Sequence, residues 1–179
     1  MTRAASSSHP QSAGKSAISI FANGPADPLA TFTECLEGGD PQAGREIAQQ
    51  NVSANCVACH RFDGAAGSEV GPALTGVATR IDRRSLLESL IAPGAKVTAG
   101  YGIVFVTKKS GEAVSGTLLG EKDGALRLRL PDGKDVTIAK ADIAAQTPPI
   151  SMMPPMGAIL SKRQLRDVVA YLGTLKAKK

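Results

Sequence analysis

The sequence predicts a mainly α protein interrupted by one small antiparallel β meander. Three observations point to it. Three segments carry apolar residues at helical spacing behind recognisable caps; between Tyr101 and Ile143 the apolar period changes from helical to alternating. The alternating stretch is inserted between a C-x-x-C-H motif at 56–60 and a Met-rich loop at 151–156.

Residues 1–29 come first and read as a flexible leader or linker, rich in Ser, Ala, Gly and Pro with little hydrophobic periodicity. One domain is then expected over 30–179, with the β insertion at about 100–145. Asp40-Pro41 opens the first helix, because Asp caps the free N–H groups and Pro is tolerated at the first helical position; Ala43, Ile47 and Ala48 follow. Asp82 caps the second. Ile81 and Leu86 form a hydrophobic staple there, Leu87, Leu90 and Ile91 continue the stripe, and Pro93-Gly94 stops it.

Four short runs, Ile103 to Thr107, Ala113 to Leu119, Ala125 to Leu130 and Asp135 to Ala139, form the meander. Ser110-Gly111, Asp123-Gly124 and Asp132-Gly133 separate them as hairpin turns. Leu126, Leu128 and Leu130 face one way, Arg127 and Arg129 the other, so one face is buried. The last helix is marked by a capping box, Ser161 with Gln164, and by a stripe of Leu165, Val168, Val169, Leu172 and Leu175.

The chain has 21 Lys and Arg against 16 Asp and Glu, a net charge of +5, and the segment from Lys162 to Lys179 alone carries that excess. A basic terminal helix is a solvated face before it is a nucleic-acid site. Two Tyr, four Phe and no Trp also supply few stacking surfaces for bases, so a nucleic-acid-binding function is disfavoured. No apolar stretch reaches the length of a membrane span. No secretory signal is visible either, Ala17 to Ala22 being a short and broken apolar run.

Cys56-Val57-Ala58-Cys59-His60 carries the chemistry. On one helical turn, two thiols at this spacing reach the two vinyl groups of a single haem as thioethers, and the adjacent imidazole of His60 is placed as an iron ligand. From the composition alone, such a match arises by chance with a frequency of about 5 in 10,000. A structural zinc site needs four ligands, and beyond the motif the chain offers Cys35 and His9, the latter in the leader. A thioredoxin-type dithiol calls for a parallel αβ setting that the surrounding Asn, Gly and Ala do not suggest.

A second axial ligand is sought in Ser151-Met152-Met153-Pro154-Pro155-Met156. Met153 is favoured, since Pro154 forces its backbone to be extended and leaves the side chain free to point into a pocket. Met156 and Met152 are the alternatives, with Met152 then a soft gap-filler. Arg80, Arg61 and Tyr101 are placed in the chain where propionate partners could stand, but each is read first as an ordinary surface or packing residue. Cys35 is read as a small buried hydrophobe in preference to an intermolecular bridge.

Gly39-Asp40-Pro41-Gln42-Ala43-Gly44-Arg45, the C-x-x-C-H motif, Gly71-Pro72-Ala73-Leu74-Thr75-Gly76, Met153-Pro154 and Ala170-Tyr171-Leu172 occur in an order that resembles class I cytochrome c. With Leu86 to Pro93, Gly100-Tyr101 and the β insertion added, residues 30–176 resemble the haem-binding domain family described from planctomycetes and verrucomicrobia. The resemblance implies the class I cytochrome c fold, mainly α, with the meander between the haem motif and the axial Met loop. It implies one covalently attached haem c held by Cys56 and Cys59, with His60 and Met153 on the iron. Pro72 would accept a hydrogen bond from the proximal imidazole, Leu74 would pack on the haem face, and Gly44 and Tyr171 would mark the crossing of the first and last helices.

The function this implies is electron transfer without transformation of a substrate, in an exported, periplasmic-type compartment, with a redox protein such as a dehydrogenase or a downstream acceptor as partner. The alternative is a haem-based domain that binds or senses a small ligand through a labile Met153.

Overall fold

A computed structural model describes residues 27–63 and 67–177; His9, most of the 1–29 segment, Lys178 and Lys179 lie outside them. Three α-helices form where the caps indicate. In α1, Pro41–Gln50, the Asp40 carboxylate accepts from the N–H groups of Gln42 and Ala43. In α2, Arg83–Ile91, Asp82 accepts from Ser85 N–H, and in α3, Lys162–Leu172, both halves of the Ser161/Gln164 capping box are present.

Helices α1 and α3 cross closely because Gly44 has no side chain. A Cβ at that position would overlap the Asp167 carbonyl oxygen and stand 2.9 Å from Tyr171 Cβ. Around this crossing the stripe of α3 (Leu165, Val168, Val169, Leu172) packs with Leu86, Leu87 and Leu90 of α2. Leu29 joins the same core at 1% exposure, so the folded unit takes in the residues that precede η-type turn Thr33–Leu36. Cys35 is wholly buried, and its thiol donates to the Lys162 carbonyl at 3.3 Å. It packs as a small apolar side chain.

The second half of the fold is a sheet. Strands β1 (Gly102–Lys108), β2 (Ala113–Lys122), β3 (Ala125–Arg129) and β4 (Asp135–Ala139) form the antiparallel meander. Asp123 and Gly124 take φ of 51° and 72°, the left-handed pair that a two-residue hairpin needs. Two further strands, β5 (Ile143–Gln146) and β6 (Ile150–Ser151), both pair with β1, giving the order β4-β3-β2-β1-β5 with β6 beside β1. Val104, Val106, Leu126, Leu128 and Ile138 are buried in a core of their own, packed by Val114, Leu118, Val136 and Ile143 of the same sheet. The register shifts by one residue twice, at Ala144 of β5 opposite β1 and at Leu119 of β2 opposite β3.

The mainly α class I cytochrome c fold is thereby corrected. Three helices stand beside a six-stranded antiparallel sheet, with about 22% of the described residues in strands and 31% in helical turns, an α+β architecture. The physical reason lies first in the meander itself, whose strands β1 to β4 bury a core separate from the helices, and the stretch after Ala139 extends it to six strands. Ile143 to Gln146 lacks a clean alternation, and the two residues of β6 are too few to show a period, yet both satisfy backbone groups left open along β1. The insertion therefore carries its own core and is half of the fold.

The sheet meets the helical half at both ends of the insertion. Gly102 pairs with Ser151 and Ile103 with Ile150, so the strand that begins the sheet and the strand that precedes the Met-rich loop are one ladder. At Gly102 a Cβ would stand 2.6 Å from Pro149 Cβ and 2.9 Å from Val97 Cγ1.

Candidate cofactor site

The end of α1 leads directly into the cysteine motif. Asn51 turns the chain, its side-chain oxygen accepting from Ser53 and Ala54 N–H at 3.0 and 2.9 Å. Asn55 then adopts a left-handed φ of 40°, which Asn tolerates, and Cys56–Ala58 forms a single helical turn. The His60 N–H closes on the Cys56 carbonyl at 2.8 Å, bringing Cys56, Cys59 and His60 round one turn. Cys56 is half-buried, and burial pushes its thiol pKa up; Cys59 is exposed.

The segment after the motif folds back over the imidazole. Gly71 N–H donates to the Cys59 carbonyl at 2.6 Å and Leu74 N–H to the Arg61 carbonyl at 2.9 Å. Between these two anchors the Pro72 carbonyl oxygen comes to 2.7 Å from His60 Nδ1. A carbonyl can only accept, so Nδ1 carries a proton, and of the two neutral tautomers this contact selects the one that leaves the Nε2 lone pair available. The imidazole is thus fixed in the tautomer that a metal ligand requires.

His60 borders a cleft of about 300 Å³ whose lining is mostly apolar. Cys56, Cys59, His60, Pro72, Leu74 and Met153 line it together, and so do the alternative ligands Met152 and Met156. The Met-rich loop enters from the far end of the chain, with Met153 N–H held by Ser151 Oγ at 3.1 Å. The three methionines differ sharply: Met153 is half-buried against the helical core, Met156 is 3% exposed within it, and Met152 is 69% exposed. The gap-filler of the loop is Met156, and Met152 is not packed. That difference follows from the short helical turn Met156–Ala158, which directs Met156 inward.

Several lining residues were not singled out from the sequence. Phe62 is 2% exposed and stacks with Tyr171, ring centroids 6.0 Å apart. Its signal was present, a lone large apolar residue in the polar stretch Arg61 to Gly64. Ala48 is also buried at the cleft wall, and Lys96 lines it from the turn after α2. Of the three residues considered for propionates, Arg80 and Tyr101 line the cleft, whereas Arg61 pairs with Glu69 at 2.6 Å and does not.

The donor set fits a haem. Two thiols stand on one turn, an imidazole is held through Nδ1 so that Nε2 is left for a ligand bond, a thioether enters from another element, and apolar walls come from all three helices. Among the described residues no group of three or more His, Cys, Asp or Glu side chains is placed to enclose a metal ion, which is what a zinc site would need. No helix among the described residues is long and apolar enough to cross a membrane. No protein-family model matches the chain, and a search of curated proteins finds no relative.

Proposed function

We propose that this chain is a c-type cytochrome electron-transfer module carrying one haem c. The observation that carries the reading is the convergence on one apolar cleft of Cys56, Cys59, a tautomer-locked His60 and Met153. Bound haem supplies one-electron chemistry, its iron cycling between Fe(III) and Fe(II). Cys56 and Cys59 hold the group by thioethers to its two vinyl carbons. His60 offers Nε2 to the iron while the Pro72 carbonyl, by accepting from Nδ1, raises the basicity of the ring. Met153 offers its thioether as the second ligand, the type that favours the reduced state. Leu74 and the helical walls give the cleft its apolar lining.

A module of this kind transforms no substrate. It relays electrons for a redox protein, such as a dehydrogenase that oxidises a sugar or alcohol, in the exported compartment where haem c is attached. The resemblance to the planctomycete and verrucomicrobial haem-binding domains supports that assignment from residues 30–176.

The test is an absorption spectrum, oxidised and reduced, of protein co-produced with a cytochrome c maturation system, followed by acid-acetone extraction. Haem that stays with the polypeptide, with a weak ferric band reporting a sulfur–iron bond, supports the His60/Met153 carrier. Retained haem without that band, together with ready carbon monoxide binding, moves the reading to a small-ligand sensor with a labile Met153. Zinc in place of haem overturns both.

A further inference from the structure

We propose that Lys96 binds a carboxylate of the cofactor and raises the reduction potential of the site. The proposal rests on the haem reading above. Among the described residues the charge along the cleft has one sign: Arg80 and Lys96 are its charged lining residues, and no Asp or Glu lines it. An apolar ring with two carboxylates matches that sign of charge, since carboxylates in an otherwise apolar slot need cations.

The two cations are not equivalent. Arg80 already spends its outer nitrogens on the backbone, Nη1 donating to the Thr75 carbonyl at 2.7 Å and Nη2 to Ala73 at 2.9 Å. It braces the loop that carries Pro72 and Leu74. Lys96 has no ion-pair partner among the described residues.

The backbone on either side of it is held by turns. Ala95 N–H closes a turn on the Ala92 carbonyl at 2.8 Å before it, and Tyr101 N–H bonds the Thr98 carbonyl at 3.1 Å after it. The next residue, Val97, sits where a Cβ on Gly102 would touch it, so the turn is packed against the start of β1. With haem bound, an ammonium at the cleft would offset the negative charge of a propionate. Since reduction adds an electron to the site, a neighbouring cation favours the reduced form.

The experiment is a spectroelectrochemical titration of the haem-loaded full chain, wild type against Lys96→Gln, Lys96→Glu and Lys96→Arg, at low and high salt. One partly screened charge predicts that Lys96→Gln lowers the Fe(II)/Fe(III) ratio at a fixed potential by about threefold to tenfold. Lys96→Glu should lower it by about the square of that factor, Lys96→Arg should stay within about twofold of wild type, and all the differences should shrink in salt. Lys96 is exposed, so these variants keep the fold. If Lys96→Gln and Lys96→Glu leave the ratio unchanged while haem survives acid-acetone, the haem reading stands and the role of Lys96 is wrong. The same holds if these changes alter only the rate with an external redox protein, which would make Lys96 a docking residue. Wild-type protein that releases its haem overturns both.

Discussion

The carbonyl oxygen of Pro72 lies 2.7 Å from Nδ1 of His60, across 12 residues of chain. This contact exists because Gly71, just before Pro72, lets the backbone press against the imidazole: a Cβ on Gly71 would stand 2.7 Å from His60 Cε1 and 3.0 Å from Nδ1. Gly71 gives access and Pro72 gives an acceptor on a backbone whose φ is fixed. The two act as one clamp on the ring.

Gly71→Ala should therefore disturb the site more than the fold. The added methyl must displace the ring or the Cys59 carbonyl, 3.2 Å away, and overpacking of this kind costs about 1–3 kcal/mol. The expected outcome in haem-loaded protein is a weakened or broadened His-ligated spectrum together with a modest fall in melting temperature. Circular dichroism and absorption on one sample check both. An unchanged spectrum would mean that the clamp does not hold the ring.

The helix crossing gives a second prediction. Gly44→Ala drives a methyl into the Asp167 carbonyl, and backbone cannot yield as a flexible side chain does. Loss of about 1–3 kcal/mol is expected, measured by denaturant unfolding. Asp40→Ala, at the head of the same helix, should cost about 1 kcal/mol through the lost cap.

What was legible in the sequence follows from the range over which each signal acts. Caps such as Asp40, Asp82 and Ser161 act within three residues of themselves and could be read directly. The turn pair Asp123-Gly124 is equally local, and the strands on either side of it form as the alternation indicates. Strands β5 and β6 were hidden because their partner β1 is more than 30 residues earlier, and only that pairing makes them strands. The mainly α expectation comes from the resemblance, which treats the meander as an insertion, whereas β1 to β4 already supply most of a sheet with its own core.

Within the cleft, Cys56, Cys59 and His60 form a local motif, whereas the places of Phe62, Ala48 and Lys96 depend on helices and turns meeting in space. The order of burial among the three methionines was set by a turn at Met156 that the sequence does not advertise.

Stability should fall in acid. Hydrogen bonds from Ser85 lower the pKa of Asp82 below its ordinary 3.8, and Arg129 does the same for Asp135. A carboxyl whose folded pKa is depressed contributes stability that is complete above its unfolded pKa and is lost as pH falls through the folded value. The loss should begin below about pH 5 and steepen below 4. Asp82→Asn should flatten that slope, read as melting temperature against pH. A slope identical to wild type would show that Asp82 is not among the groups linked to folding.

The Met-rich loop separates ligation from packing most clearly. Met156 is 3% exposed and belongs to the helical core, so Met156→Ala should cost about 2–4 kcal/mol by leaving a cavity. Met152 is 69% exposed, and Met152→Ala should change stability by less than about 0.5 kcal/mol. Met153, half-buried at the cleft and tethered through Ser151, should lose little stability as Ala but should abolish the ferric sulfur–iron band in haem-loaded protein. One set of three variants, each measured by denaturant unfolding and by ferric absorption, thus yields two independent orderings. Stability should rank Met156 above Met153 and Met153 above Met152, whereas the band should respond to Met153 alone. Loss of the band in Met156→Ala with its survival in Met153→Ala would exchange the two roles and move the iron ligand into the core.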